Sequence, residues 1–307
     1  QAGMNNLADE INKAIGEKPK VDLSKYSIGD YVNYTYDTAE NYVLTSATCG
    51  STHNPTDGIP QTSGLKWRIL NIDEANGTVD LISANPTDTT VCFSDARGYH
   101  NGPYLMNAIC ESQYSNSALN VKARNISLLD MEKQLTTAGI AVRNGYSGDL
   151  VKYGTTETYT SKSYYPLLYD GQKGAGVNVT EAEASTKIEQ PNIDAGNDPY
   201  GESVETTSPI TDKTYKKAYN SVLTVTQTYY YIPINETNYG KAASVLKNSK
   251  SCWISGRYVD ASSSYASFGL RDAWGGLDGS DMFNSNNSSI NYAYCLRPVV
   301  SLPSSLL

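Results

Sequence analysis

The sequence predicts an α+β fold, with mixed and antiparallel sheets, two or more helices, long irregular loops and a short helix ahead of the first strand. Three observations carry this. Several short runs alternate apolar and polar residues, the pattern of half-buried strands. One pair of runs flanks an Asn76-Gly77 turn, the strongest short-range hairpin signal. Helical periodicity is confined to a few stretches, separated by long segments rich in Gly, Ser and Thr.

Taken in order, Leu7, Ile11 and Ile15 recur at four-residue steps with Glu10 and Lys13 between them, so an amphipathic helix runs to Gly16. Glu17-Lys18-Pro19-Lys20 reads as a linker. Residues 1–25 therefore form a first unit, either the end of a longer stalk or a helix packed on the domain, and residues 26–307 a single domain. Gln1 to Met4 show no basic or apolar leader, which places any signal or membrane anchor outside this sequence. Tyr31-Val32-Asn33-Tyr34-Thr35-Tyr36 alternates after the Gly29-Asp30 turn and predicts a strand. A Ser/Thr/Gly/Pro-rich loop over 45–64 leads to the hairpin Trp67-Arg68-Ile69-Leu70-Asn71-Ile72 and Thr78-Val79-Asp80-Leu81-Ile82-Ser83. Residues 104–110 place their apolar side chains on one helical face. Ser127 caps a second helix, with Asp130 three residues on as an acidic capping box. Residues 144–220 read as an excursion with little regular structure.

Composition excludes several classes. The chain has 307 residues, 24 Lys+Arg and 32 Asp+Glu, for a net charge of −8. Without an electropositive cluster it is no nucleic-acid binder. No run of about 18 apolar residues exists, so no segment spans a bilayer and membrane association rests on the missing anchor. Five cysteines, none in a C-x-x-C pair, and only His53 and His100 beside them argue against zinc. The odd count fits an extracellular protein with up to two disulfides, or none. Cys252 and Cys295 sit in two apolar runs, and a bridge between them is one pairing the sequence leaves open.

The chain holds 25 Tyr against 3 Phe and 3 Trp, either half-exposed strand tyrosine or the contact chemistry of a binding surface. The C-terminal third separates the two. Of the 37 positions from 258 to 294, 24 are Ser, Asn, Asp, Gly or Tyr, and no Lys follows Lys250. That would pass for low complexity, but Val259, Phe268, Leu270, Trp274, Leu277, Met282, Phe283 and Ile290 recur through it. Apolar runs at Ser251-Cys252-Trp253-Ile254-Ser255 and at Tyr294-Cys295-Leu296-Arg297-Pro298-Val299-Val300 bracket it.

Trp253-Ile254-Ser255-Gly256-Arg257, Phe268-Gly269-Leu270-Arg271 and the run from Tyr294 to Leu302 together resemble the ending of a Firmicutes-type bacterial surface-protein family. That family is related to C-type-lectin-fold proteins typified by the formylglycine-generating enzyme. Ile28-Gly29-Asp30-Tyr31-Val32-Asn33-Tyr34, the hairpin, Gly98-Tyr99-His100-Asn101-Gly102 and Ser163-Tyr164-Tyr165-Pro166-Leu167 extend the resemblance over most of 26–302. It implies a C-type-lectin-like domain, often pilin-linked and similar to the variable proteins of diversity-generating retroelements. In those, a rigid scaffold displays a hypervariable patch rich in Tyr, Ser, Asp, Gly and Asn.

The resemblance implies a non-enzymatic, extracellular, cell-surface binding protein of adhesin or receptor type, with its ligand on the loops of 258–292. Tyr258, Asp260, Tyr265, Asp272, Trp274, Asp278, Phe283, Asn284 and Asn286 are the expected contacts, with Trp274 and Phe283 equally readable as satellite core. The expected partner is a protein or glycan on another cell or on a phage. Arg257, Arg271 and Arg297 are expected to hold buried carbonyls or carboxylates. The alternative is a structural subunit of a pilus or filament, self-assembling through its N-terminal segment. Catalysis is not expected: Cys252 and Cys295 sit in core strands rather than an electropositive cleft, and no Gly-x-Ser-x-Gly elbow occurs. Gln190-Pro191-Asn192 resembles the sugar-binding tripeptide of animal lectins, without its Trp-Asn-Asp partner. No cofactor is expected. Calcium on Asp272, Asp278 and Asp281 is the one candidate, though no twelve-residue calcium loop occurs.

Overall fold

A computed structural model describes residues 22–43, 58–147, 151–159, 227–261, 266–284 and 290–307, with short paired strands between 163 and 226. The expected N-terminal helix lies outside the described residues. The fold is α+β and built on antiparallel sheets. A five-stranded sheet has the order β1 (Tyr31–Val32), β2 (Trp67–Asp73), β3 (Thr78–Ser83), β17 (Pro298–Pro303) and β5 (Ala123–Asn125). The last strand of the chain is thus threaded between early ones. A four-stranded sheet has the order β12 (Ile232–Pro233), β15 (Gly276–Asn284), β14 (Ala266–Ala273) and β13 (Cys252–Ala261). β16 (Asn291–Tyr294) pairs with β4 (Val91–Ser94).

The hairpin forms where the sequence places it. Gly77 adopts φ +61°, a conformation Cβ-bearing residues rarely take, and the Asp73 side chain accepts from the Asn76 backbone N–H at 3.0 Å. Alternation along β2, β3 and β17 sends Ile69, Leu81 and Val300 to one face and Leu70, Ile82 and Val299 to the other. The first set packs with α1 (Asp95–Tyr114), which carries Leu105, Met106 and Ile109. The second meets α2 (Leu128–Lys133) and the small helices α4 (Glu236–Tyr239) and α5 (Ala243–Leu246). The capping box of α2 is complete. Ser127 Oγ accepts from the Asp130 backbone N–H, and the Asp130 carboxylate accepts from the Ser127 N–H. α3 (Thr137–Gly145) follows, capped by Thr136.

Three expectations change. The strand over 31–36 is only Tyr31–Val32; beyond it Tyr34 and Tyr36 turn their rings edge-on to Trp67 instead of pairing. The excursion over 144–220 carries paired backbone. β6 (Thr156–Tyr159) pairs with β11 (Leu223–Thr226), β7 (Ser163–Pro166) with β10 (Lys217–Asn220), and β8 (Val204–Glu205) with β9 (Thr214–Tyr215). Most important, the described residues of 258–292 are mostly strand rather than display loops: β13, β14 and β15 pair antiparallel in that order as a meander. All eight residues of β14 are buried, so packing on both faces removes the period-two signal by which a strand is recognised.

The proposed bridge between Cys252 and Cys295 is also corrected. The two residues face each other across a parallel β-bridge, yet both are free thiols, and Cys252 Sγ donates to the Lys250 carbonyl at 3.5 Å. Cys110 is likewise free, whereas Cys92 is disulfide-bonded to a partner outside the described residues. No helix among the described residues is long and apolar enough to cross a membrane.

Candidate ligand-binding site

The meander carries two opposite polar faces. On one, the Tyr258 ring lies over Gly269 and Gly279, where a Cβ on either glycine would collide with it. Tyr258 is 2% exposed, and its hydroxyl donates to Asp281 Oδ1. Arg271 fills the adjoining space. Its guanidinium lies 4.4 Å from the Tyr230 ring centre, 5.4 Å from Tyr229 and 5.8 Å from Tyr258, and it donates to the Tyr230 carbonyl at 2.9 Å. Burial pushes the Tyr258 hydroxyl and the Asp281 carboxyl above their usual ranges, and the Asp281 charge adds to the shift of Tyr258.

The opposite face opens into a cavity of about 460 Å³, walled by Tyr231, Trp274, Tyr292 and Tyr294, with Asp272, Asp278 and Ser280 among its polar lining residues. Each part is placed by a local cause. Asp272 and Asp278 are directly opposed in the β14–β15 register. Ser280 Oγ donates to Asp272 Oδ2 at 2.8 Å and stands 3.2 Å from the Tyr294 hydroxyl. Tyr231 lies against Gly276, and Tyr294 packs on the buried Trp253 with ring centres 4.6 Å apart. Trp274, in the turn between β14 and β15, is 62% exposed. The Tyr229 hydroxyl donates to Asp278 Oδ1 at 2.5 Å.

Asp272 is 7% exposed, and burial raises its carboxyl to about 6, with the Asp278 charge adding to the effect and the Ser280 bond opposing it. Among the described residues no three His, Cys, Asp or Glu side chains are grouped to hold a metal ion.

The expected contacts therefore divide. Asp272, Trp274 and Asp278 meet at one cavity. Tyr258 faces the interior, because the paired glycines make room for its ring there. Asp260 lies toward the far end of β13, where it accepts from Gln227 Nε2 at 2.6 Å. Phe283 and Asn284 pair through their backbones with Phe268 and Ser267, away from the cavity. Tyr265 and Asn286 lie outside the described residues. Ser280 and Tyr292 fall within the expected 258–292 segment without being among the expected contacts, and Tyr231 escapes notice, since nothing in the Tyr229-Tyr230-Tyr231 run separates the exposed ring from the two that stack on Arg271.

The three arginines act as expected. Arg257 Nε donates to the Tyr99 carbonyl at 2.7 Å, and Arg297 donates to the carbonyls of Val245 and Ser83 and to Asn248 Oδ1. Burial lowers the Arg297 guanidinium to about 10. Comparison of the chain with family models, with curated proteins and with solved structures gives no match.

Proposed function

We propose that this chain is a non-enzymatic binding module of C-type-lectin-like fold, displayed outside the cell, and that its ligand enters the cavity beside Trp274. The observation that carries the reading is Trp274 itself. A large aromatic side chain, more than half exposed, stands at the mouth of a cavity otherwise walled by tyrosine and short polar groups, the composition of a binding hot spot. The meander beneath is buried and densely bonded, so the site rests on a rigid support. The disulfide at Cys92 supports an oxidising compartment.

The test is a binding screen of the purified protein against immobilised glycans and cell-surface proteins, with Trp274→Ala and Tyr292→Ala as probes. Loss of the captured ligand, with unfolding free energy changed by no more than about 0.5 kcal/mol, supports the reading. Undiminished capture by both variants sinks it. Diversification is tested separately in the adjacent DNA, where a near-duplicate of the codons for 258–294 beside a reverse transcriptase gene is the expected arrangement.

A further inference from the structure

Resting on the assignment of that cavity as the binding site, we infer that the group it receives is an organic cation, an alkylammonium or a guanidinium. Three independent features converge on this chemistry. Four aromatic side chains, Tyr231, Trp274, Tyr292 and Tyr294, line the cavity, and aromatic π-systems attract cations through their quadrupole. Two carboxylates, Asp272 and Asp278, stand opposite each other in the same lining, which among the described residues includes no Lys, Arg or His. Asp272 is more than nine-tenths buried, lines the cavity, and has no Lys or Arg within ion-pair distance among the described residues.

The neighbouring cation answers that charge only in part, its field opposing the rise without cancelling it. Arg271 is the next residue along β14 and its side chain leaves by the other face, held among the rings of Tyr229, Tyr230 and Tyr258. A carboxylate kept from water without a counter-ion is unfavourable, and the carboxyl of Asp272 responds by holding its proton up to about pH 6. A ligand cation seated between the rings and Asp272 relieves that cost. An anion would meet two carboxylates, and a neutral apolar group would bury Asp272 further with nothing in return. At about 460 Å³ the space takes a trimethylammonium or guanidinium head with part of its chain.

The groups facing Asp272 define the pH behaviour. They are Ser280 and Asp278 from β15, Trp253 paired with it from β13, Cys252 beside Trp253, Tyr292 and Tyr294 from β16, and Arg271 next to it in β14, whose charge opposes the rise. Of the acidic ones, Asp272 is raised to about 6, so affinity for a cation should fall as pH drops through that value.

The experiment titrates the intact protein with choline, with methylguanidinium, with acetate and with 3,3-dimethylbutan-1-ol, the neutral shape-match of choline, following Trp emission and heat. Either or both cations should bind, with the alcohol weaker than choline by about tenfold and acetate silent. Asp272→Asn should weaken cation binding about tenfold and leave the alcohol unchanged, and Trp274→Leu, which keeps apolar area without the ring, should do likewise. A peptide with one exposed Lys or Arg binding tighter than the free cations identifies a protein side chain as the source; tighter choline identifies a free ammonium compound. Equal binding of choline and the alcohol overturns the cation assignment while leaving the cavity a binding site. Failure of both cations to bind at millimolar concentration overturns it too. The binding-module reading then stands or falls separately, on ligand capture by Trp274→Ala.

Discussion

Arg271 and Asp272 are adjacent in one strand, both almost fully buried and opposite in charge, yet their surroundings differ in kind. Arg271 is enclosed by three tyrosine rings and a backbone carbonyl, and the space around it is closed by Tyr258 seated on two glycines. Asp272 accepts from the Ser280 hydroxyl and faces an open cavity beside a second carboxylate. One charge is built into the fold; the other is held at a cost to it. Arg271 is surrounded by partners within the fold, whereas Asp272 is left with its charge incompletely balanced.

That contrast can be broken by substitution, and the expected effects descend in size. Arg271→Ala removes the centre of the tyrosine cluster and should cost about 3–5 kcal/mol in urea unfolding. A cost under about 1 kcal/mol would show that the cluster closes without it. Gly269→Ala and Gly279→Ala each thrust a methyl into the Tyr258 ring and should cost about 1–3 kcal/mol, with Tyr258→Ala in the same chain removing the clash.

Asp272→Asn should act with the opposite sign. The folded-state carboxyl is raised to about 6 from the usual 3.8, so the native state takes up its proton before the unfolded chain does. The penalty of the buried charge is at its full size above pH 6, shrinks as pH falls, and is gone near pH 4. The Asn variant should therefore gain about 1–2 kcal/mol at pH 7 and nothing at pH 4. A loss of stability at pH 7 would mean the carboxylate is structural and would erase the comparison. Trp274→Ala comes last, at no more than about 0.5 kcal/mol, because its ring is mostly in water already.

What the sequence made legible were features with a local cause. The Asn76-Gly77 turn, the Ser127–Asp130 capping box and the apolar face of α1 each follow from residues a few positions apart. The arginine roles were legible too, since a guanidinium inside an apolar run must find carbonyls. The meander was not, because a strand buried on both faces loses its alternation, and Ala, Gly and Ser at close contacts imitate a loop composition. The cavity was half legible. Asp272, Trp274 and Asp278 fall within seven consecutive positions around one turn, whereas Tyr231 comes from just ahead of β12 and Tyr292 from β16. Only the sheet register brings them together.

The segment between β6 and β11 is bounded by a backbone clasp. Gly154 N–H donates to the Gln227 carbonyl at 2.7 Å, and Gln227 N–H donates back to the Thr155 carbonyl at 2.9 Å. Because the two ends are already clasped, the cost of closing whatever lies between them grows only with the logarithm of its length. Exchanging the residues between β6 and β11 for a short turn should therefore leave the register of the core sheets unchanged.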